Sequence, residues 1–249
     1  MSTQYDTIGT RYASMKELPA ASVEKPSISA VLGNIHNLHC LDLACGLGYW
    51  TQYLLEDGAA SVTGVDISET MTKAAKEASA TWAASLRDRN HFITADCSQP
   101  TDIPGGPFDL VFAGWFLNYA GSYEEQLGMW RNIYHNLKPG GRFIGITVNV
   151  HQAHDTPIDD RYGILTEPIA KVRDGHKIRL TAYTHPERVV FENYHLSKEV
   201  HERGAATSGL VDLKWNGHVL PDDERRETGY WDVFEKRPML EVVTACRPT

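Results

Sequence analysis

The sequence predicts an α/β fold, a doubly wound parallel sheet with helices on both faces. Three observations predict it. From residue 39 onward, short apolar runs alternate with segments of helical spacing, the pattern of strand–helix–strand units. The first run breaks into Ala44-Cys45-Gly46-Leu47-Gly48, a glycine-rich turn placed between a strand and a helix. Acids stand at three successive strand ends, as Asp42, Asp66 and Asp96.

Residues 1–35 read as one or two helices over the sheet edge, separated or capped by Pro19 and Pro26. The first strand is 39–44, and the next four are 61–66, 91–95, 107–113 and 141–148. They are short and apolar, several with β-branched residues, as strands buried on both faces require. After Ser68, Met71, Ala74, Ala75, Ala78, Trp82 and Leu86 recur at helical spacing. Ser122 with Glu125 forms a capping box ahead of the apolar face Leu127, Trp130, Ile133, Tyr134 and Leu137, and Pro139-Gly140-Gly141 ends that helix. Farther on, KIRLTAYT and RVVFENYHL read as two extended segments, a hairpin inserted after the fifth strand. LSKEVHERGAATSGL reads as a helix, and VDLKWNGHVL and MLEVVTACR as the final strands. Residues 215–237 hold few apolar anchors and read as a long surface loop.

The chain has 249 residues, 42% of them hydrophobic, enough for one well-packed domain. Its formal net charge of -8 and the lack of a long basic run argue against a nucleic-acid partner. No apolar run is long enough for a membrane span, and the N-terminus has no secretory signal, so a soluble cytoplasmic protein is expected. Cys40, Cys45, Cys97 and Cys246 form no C-x-x-C pair and read as reduced thiols.

In open parallel sheets, ligands bind beyond the carboxyl ends of the strands. Gly46 and Gly48 let the backbone approach such a ligand. A dinucleotide fingerprint would need a third glycine where Thr51 stands. S-adenosylmethionine carries no phosphate and needs no pyrophosphate seat. Asp42 is placed to supply an anion near its amino group, Asp66 to accept from its ribose hydroxyls, and Asp96 to accept from its adenine amino group.

These motifs resemble those of class I S-adenosylmethionine-dependent methyltransferases. Asp42-Leu43-Ala44-Cys45-Gly46-Leu47-Gly48 is similar to their first motif, Val65-Asp66-Ile67-Ser68 with Met71 to the second, Phe108-Asp109-Leu110-Val111 to the fourth, and Leu137-Lys138-Pro139-Gly140-Gly141 to the turn before the fifth strand. The chain is most similar to small-molecule enzymes of the ubiquinone/menaquinone-biosynthesis type. Its opening, Tyr5-Asp6-Thr7-Ile8-Gly9-Thr10-Arg11-Tyr12, resembles toxoflavin-type N-methyltransferases of secondary metabolism.

The resemblance implies a Rossmann-like seven-stranded sheet of order 3-2-1-4-5-7-6 with strand 7 antiparallel. It implies a single domain over 1–249: an N-terminal helical cap (1–35), a cofactor-binding core (36–150), a substrate lid inserted after strand 5 (151–195), and a C-terminal helix with strands 6 and 7 (196–249). The cofactor expected is S-adenosyl-L-methionine, leaving as S-adenosyl-L-homocysteine. Cofactor contacts are expected from Tyr5, Tyr12, Asp42, Ala44, Cys45, Gly46, Gly48, Asp66, Ile67, Met71, Ala95, Asp96, Cys97, Ala113, Gly114 and Trp115. For Tyr12 and Trp115, core packing is at least as strong a reading. Asn118 and Tyr119 are expected to face the substrate.

In the insertion, Tyr162, Tyr183, Phe191 and Tyr194 either line a pocket for a flat substrate or form the core of the lid. His151 and His154 in VNVHQAHD are candidate general bases, with solvent-facing loop histidines as the other reading, and Tyr5 is a candidate catalytic residue. H-x-x-H without a third ligand predicts no metal site. The function expected is methyl transfer to a heteroatom of a small molecule, nitrogen favoured over oxygen or sulfur, by a monomer or homodimer with no nucleic-acid or membrane partner. The competing functions are an NAD-dependent oxidoreductase and a cofactor-binding protein without methyl transfer.

Overall fold

A computed structural model describes residues 3–249. Its N-terminal segment is α1 (Gln4–Ile8), two 3₁₀ stretches (Gly9–Glu17 and Pro19–Val23) and α2 (Glu24–Leu32). Pro19 opens the second 3₁₀ stretch, and Pro26 sits in the first turn of α2, where its missing N–H removes no helical bond. The core then alternates as expected: β1 (His39–Leu43), α3 (Tyr49–Glu56), β2 (Ser61–Asp66), α4 (Glu69–Ser79), α5 (Ala84–Arg87), β3 (Asn90–Thr94), β4 (Phe108–Gly114), α6 (Tyr123–Asn136) and β5 (Leu137–Val148). Ser68 caps α4 by accepting from the Met71 N–H at 3.2 Å. Ser122 caps α6 through the Glu125 N–H at 3.3 Å, while the Glu125 carboxylate reaches back to the Gly121 N–H at 2.6 Å.

After β5 come β6 (Ile164–Val172), β7 (Gly175–Ala182), β8 (Val189–Leu196), α7 (Lys198–Ser208), β9 (Val211–Asn216), α8 (Asp232–Lys236) and β10 (Leu240–Cys246). The large sheet has the order β3-β2-β1-β4-β5-β10-β9. Its first five strands are parallel, and β10 runs antiparallel to both β5 and β9. This is the expected seven-stranded order, with β9 and β10 as strands 6 and 7. One core lies on each face, one around Trp50, Phe112, Trp231 and Phe234, the other around Trp130, Phe143 and Val111. No helix among the described residues is long and apolar enough to cross a membrane.

Two expectations are corrected. The insertion is a three-stranded antiparallel sheet, β6-β7-β8, and not a hairpin. The missed strand, ILTEPIAKV, is interrupted by Pro168 and carries polar residues on its open face, so it lacks a clear strand pattern. Residues 215–237 are not all surface loop either. α8 lies within them, and Trp231 and Phe234 are each 1% exposed because they pack on Tyr162.

The N-terminal segment ties the two sheets together. The Ser68 hydroxyl donates to Asp6 at 2.6 Å, and Arg11 pairs with Glu187 at 2.8 Å. The Gln4 side-chain amide donates to the Glu192 carbonyl at 2.8 Å and accepts from the Glu192 N–H at 2.9 Å.

Candidate functional site

Beyond β1 the chain turns through Ala44 (φ 58°), Gly46 (φ 53°) and Gly48 (φ 83°) before α3 begins. Left-handed backbone accounts for both glycines. At Gly48 a Cβ would also stand 2.9 Å from the Phe92 ring, whereas at Gly46 it would meet nothing within 4 Å. Asp66 braces the turn by accepting from the Gly46 and Ser68 N–H groups, each at 2.9 Å. Burial raises the Asp66 carboxyl above its ordinary range, opposed by those two donors.

Two clefts flank the turn. One, of about 400 Å³, is lined by Tyr12, Lys16, Cys45, Gly46, Gly48, Trp50, Gly114 and Trp115. The other, of about 420 Å³, is lined by Tyr5, Asp66, Ile67, Ala95, Asp96, Cys97 and Tyr119. Ala44 borders both, so the two clefts meet at the end of β1. The Lys16 ammonium lies 4.5 Å from the centre of the Tyr49 ring at the start of α3, and it pairs with the buried carboxylate of Glu24.

An enclosed chamber lies between the N-terminal segment and the small sheet. Its walls include Tyr12, Lys16, Trp115, Tyr119, Ile164, Leu180, Phe191, Asn193 and His195. Tyr12, Lys16 and Trp115 also line the first cleft and Tyr119 the second, so the chamber adjoins both. Trp115 holds a left-handed backbone (φ 66°), costly for a bulky residue. Its N–H donates to the Ile146 carbonyl at 2.8 Å and its indole N–H to Glu24 at 3.1 Å, which fix it there. The Tyr5 ring stands edge-on to Tyr12 (5.6 Å between centroids) and to Tyr119 (5.7 Å), and its hydroxyl is hydrogen-bonded to that of Tyr119. Burial pushes the phenols of Tyr12 and Tyr119 upward, so both stay neutral.

Several expected residues stand elsewhere. Asp42 is fully buried and lines neither cleft. Its Oδ2 accepts from the Thr51 hydroxyl at 2.7 Å, and its Oδ1 has no partner among the described residues. Burial pushes this carboxyl up to about 7. Met71 is buried on α4, and Ala113 is locked in β4 between Leu43 and Gly145, so neither side chain reaches a cleft. Asn118 is consumed by the turn after β4: it accepts from Thr147 at 3.1 Å and donates to the Tyr194 carbonyl at 3.4 Å.

The remaining corrections concern the insertion and the histidines. Tyr162 belongs to a structural core: it stacks on Trp231 at 5.2 Å, donates to the Tyr230 carbonyl and accepts from the Phe234 N–H. Tyr183 lies under Arg188, 4.5 Å from its guanidinium, and lines none of the three spaces. His151 is exposed and pairs with Glu241 at 3.2 Å. His154 is held by the Asn149 carbonyl at 2.8 Å, with its ring 4.4 Å from that of His195. Neither histidine lines the clefts or the chamber. Phe191 faces the chamber, but Tyr194, of opposite parity on β8, packs against Gly121. Lys16, Asn193 and His195 were not among the expected residues. The period of two in VVFENYHL groups 189, 191, 193 and 195 on one face and carried that signal.

Comparison with known proteins points to the same fold. Residues 40–141 match the family described as a methyltransferase domain. The chain is 32% identical over 130 residues to a sterol 4-C-methyltransferase of Caenorhabditis elegans, covering 52% of this chain and 35% of that protein. It is 32% identical over 149 residues to a demethylmenaquinone methyltransferase of Symbiobacterium thermophilum, covering 56% and 55%. The chain thus spans about half or less of these relatives' lengths. Among solved structures, an S-adenosylmethionine-dependent methyltransferase of Mesorhizobium loti superposes with a TM-score of 0.64 at 24% identity, over 90% of this chain and 98% of that one. A glycopeptide N-methyltransferase solved with S-adenosyl-L-homocysteine superposes with a TM-score of 0.64 at 19% identity, over 91% and 90%. Residues 40–141 of the chain thus match the methyltransferase-domain family, and the whole chain shares the fold of these solved S-adenosylmethionine-dependent methyltransferases.

Proposed function

We propose that the protein transfers a methyl group from S-adenosylmethionine to a heteroatom of a small molecule, with nitrogen as the favoured acceptor. The observation that carries this reading is the meeting of two clefts and an enclosed chamber around Ala44, Tyr12, Trp115 and Tyr119. The residues present fit the cofactor. Asp66 and Asp96 share one cleft, where carboxylates can accept from ribose hydroxyls and an adenine amino group. Lys16 in the other cleft supplies a cation beside the start of α3, suited to a carboxylate. The third-glycine position of a dinucleotide fold is taken by Thr51, whose hydroxyl is committed to Asp42.

When bound, S-adenosylmethionine supplies an activated sulfonium methyl, which a nucleophile's lone pair displaces in line. The chain's task is then positioning, from which about 7–11 kcal/mol is available in well-oriented systems. Tyr5, Tyr12, Trp115 and Tyr119 line the adjoining spaces, and an aromatic face turned to the sulfonium would favour it by roughly 0.5–2 kcal/mol. The preference for nitrogen rests on the opening segment, Tyr5 to Tyr12. Calorimetric titration with S-adenosylhomocysteine, followed by incubation with labelled cofactor and a metabolite extract, tests the reading. No heat and no thermal shift would reject it.

A further inference from the structure

Asn193 and His195 both line the chamber, and each carries a buried polar atom without a partner among the described residues: Asn193 Oδ1 and His195 Nδ1. Each residue is 5% exposed. They stand two positions apart on β8, so strand alternation turns both side chains to the same face. Leaving one such buried atom unpaired costs about 1–3 kcal/mol, and two residues with such atoms lining one cavity mark a place where a ligand completes the pairing. The other walls are largely apolar or aromatic, with Ile164, Leu180 and Phe191 from the small sheet and Tyr12 and Trp115 among the rest, and the two charged residues that line the chamber, Lys16 and Glu24, are paired with each other.

The geometry points to Asn193 and His195 as the recognition end of the substrate chamber, selecting a small, flat, uncharged ring that carries an O–H or N–H donor. This rests on the proposed methyl transfer and names its substrate class. Asn193 Oδ1 and His195 Nδ1 act as acceptors for that donor, and the ring lies against Tyr12, Trp115 and Phe191. Burial holds the His195 imidazole well below its ordinary range, and His154 from the loop after β5, His176 from β7 and His201 from α7 disfavour its cation further. A neutral imidazole with its proton on Nε2 leaves Nδ1 free to accept. The His154 ring, edge-on at 4.4 Å, fixes its orientation. A cationic or anionic ring substituent would lie unpaired at this end.

The test uses the full chain saturated with S-adenosylhomocysteine, histidine-labelled with nitrogen-15, and two probes, phenol and anisole. Phenol is expected to shift the His195 Nδ1 resonance saturably and to bind about tenfold more tightly than anisole. Asn193→Leu and His195→Phe should each erase that preference while leaving S-adenosylhomocysteine affinity intact. Asn193→Ala, which removes the acceptor without adding bulk, serves if the leucine variant fails to fold. Equal affinity for the two probes, or no movement of the His195 resonance, would overturn the assignment and leave methyl transfer standing. Failure to bind S-adenosylhomocysteine would reject methyl transfer, while the phenol preference would still judge the pair.

Discussion

Replacing Asp42 with asparagine isolates the cost of burying one carboxyl group. Asp42 is fully buried, with one hydrogen bond, from Thr51 at 2.7 Å, and an Oδ1 left unpaired among the described residues. Burial pushes the group up to about 7, against an ordinary value near ~3.9. Below about pH 4 the carboxyl is protonated in both folded and unfolded chains and adds no pH dependence. Between about pH 4 and 7 the unfolded chain has lost the proton and the folded chain keeps it, so stability falls as pH rises. Above about pH 7 both forms are ionised and the full penalty applies. Three units at about 1.36 kcal/mol each give a penalty of about 4 kcal/mol at most. Urea denaturation followed by tryptophan fluorescence, at several pH values between about 4.5 and 8, measures it in both proteins. Every other titrating group is shared, so the difference between the two curves belongs to Asp42. The asparagine variant is expected to gain steadily on the wild type as pH rises. A difference constant to within about 0.5 kcal/mol across that range would refute the reasoning.

Three further outcomes are expected. Asp66→Ala should weaken S-adenosylhomocysteine binding by about 1–3 kcal/mol in calorimetry, because the brace under Gly46 and the proposed ribose acceptor are lost together; unchanged affinity would reject that role. Gly48→Ala should lower unfolding stability by about 1–3 kcal/mol, since φ is 83° and the new methyl would meet Phe92 at 2.9 Å; a neutral result in urea titration would mean the turn relaxes freely. Trp231→Ala should cost about 3–5 kcal/mol, as it removes the side chain stacked on Tyr162; a drop below about 1 kcal/mol would show that α8 contributes little to the core.

The large sheet was legible because β1, β2 and β4 are short, largely apolar runs closed by turn signals, and Ser68 and Ser122 cap their helices as the sequence implies. β6 was not legible, because its side chains serve a wall of the chamber on one face and solvent on the other, with Pro168 breaking the run. α8 was missed because five residues carry little periodicity, and what orders them is contact with Tyr162 from a distant part of the chain. Asp66 and Asp96 could be placed from their strand ends, and they do share a cleft. Asp42 stands at a similar strand end, yet the turn folds over it. Sequence spacing locates a strand's end but does not say whether backbone will cover it. His151 and His154 drew attention through their spacing, whereas the histidine on the chamber wall, His195, sits in a strand pattern that hides it.

The Gln4 amide takes up both backbone groups of Glu192 on the side of β8 away from β7. It occupies the place a neighbouring strand would take. Trimming the chain past residue 4 would therefore have a double consequence. It would loosen the N-terminal cover of the small sheet and leave the Glu192 N–H and carbonyl on that margin without their partner.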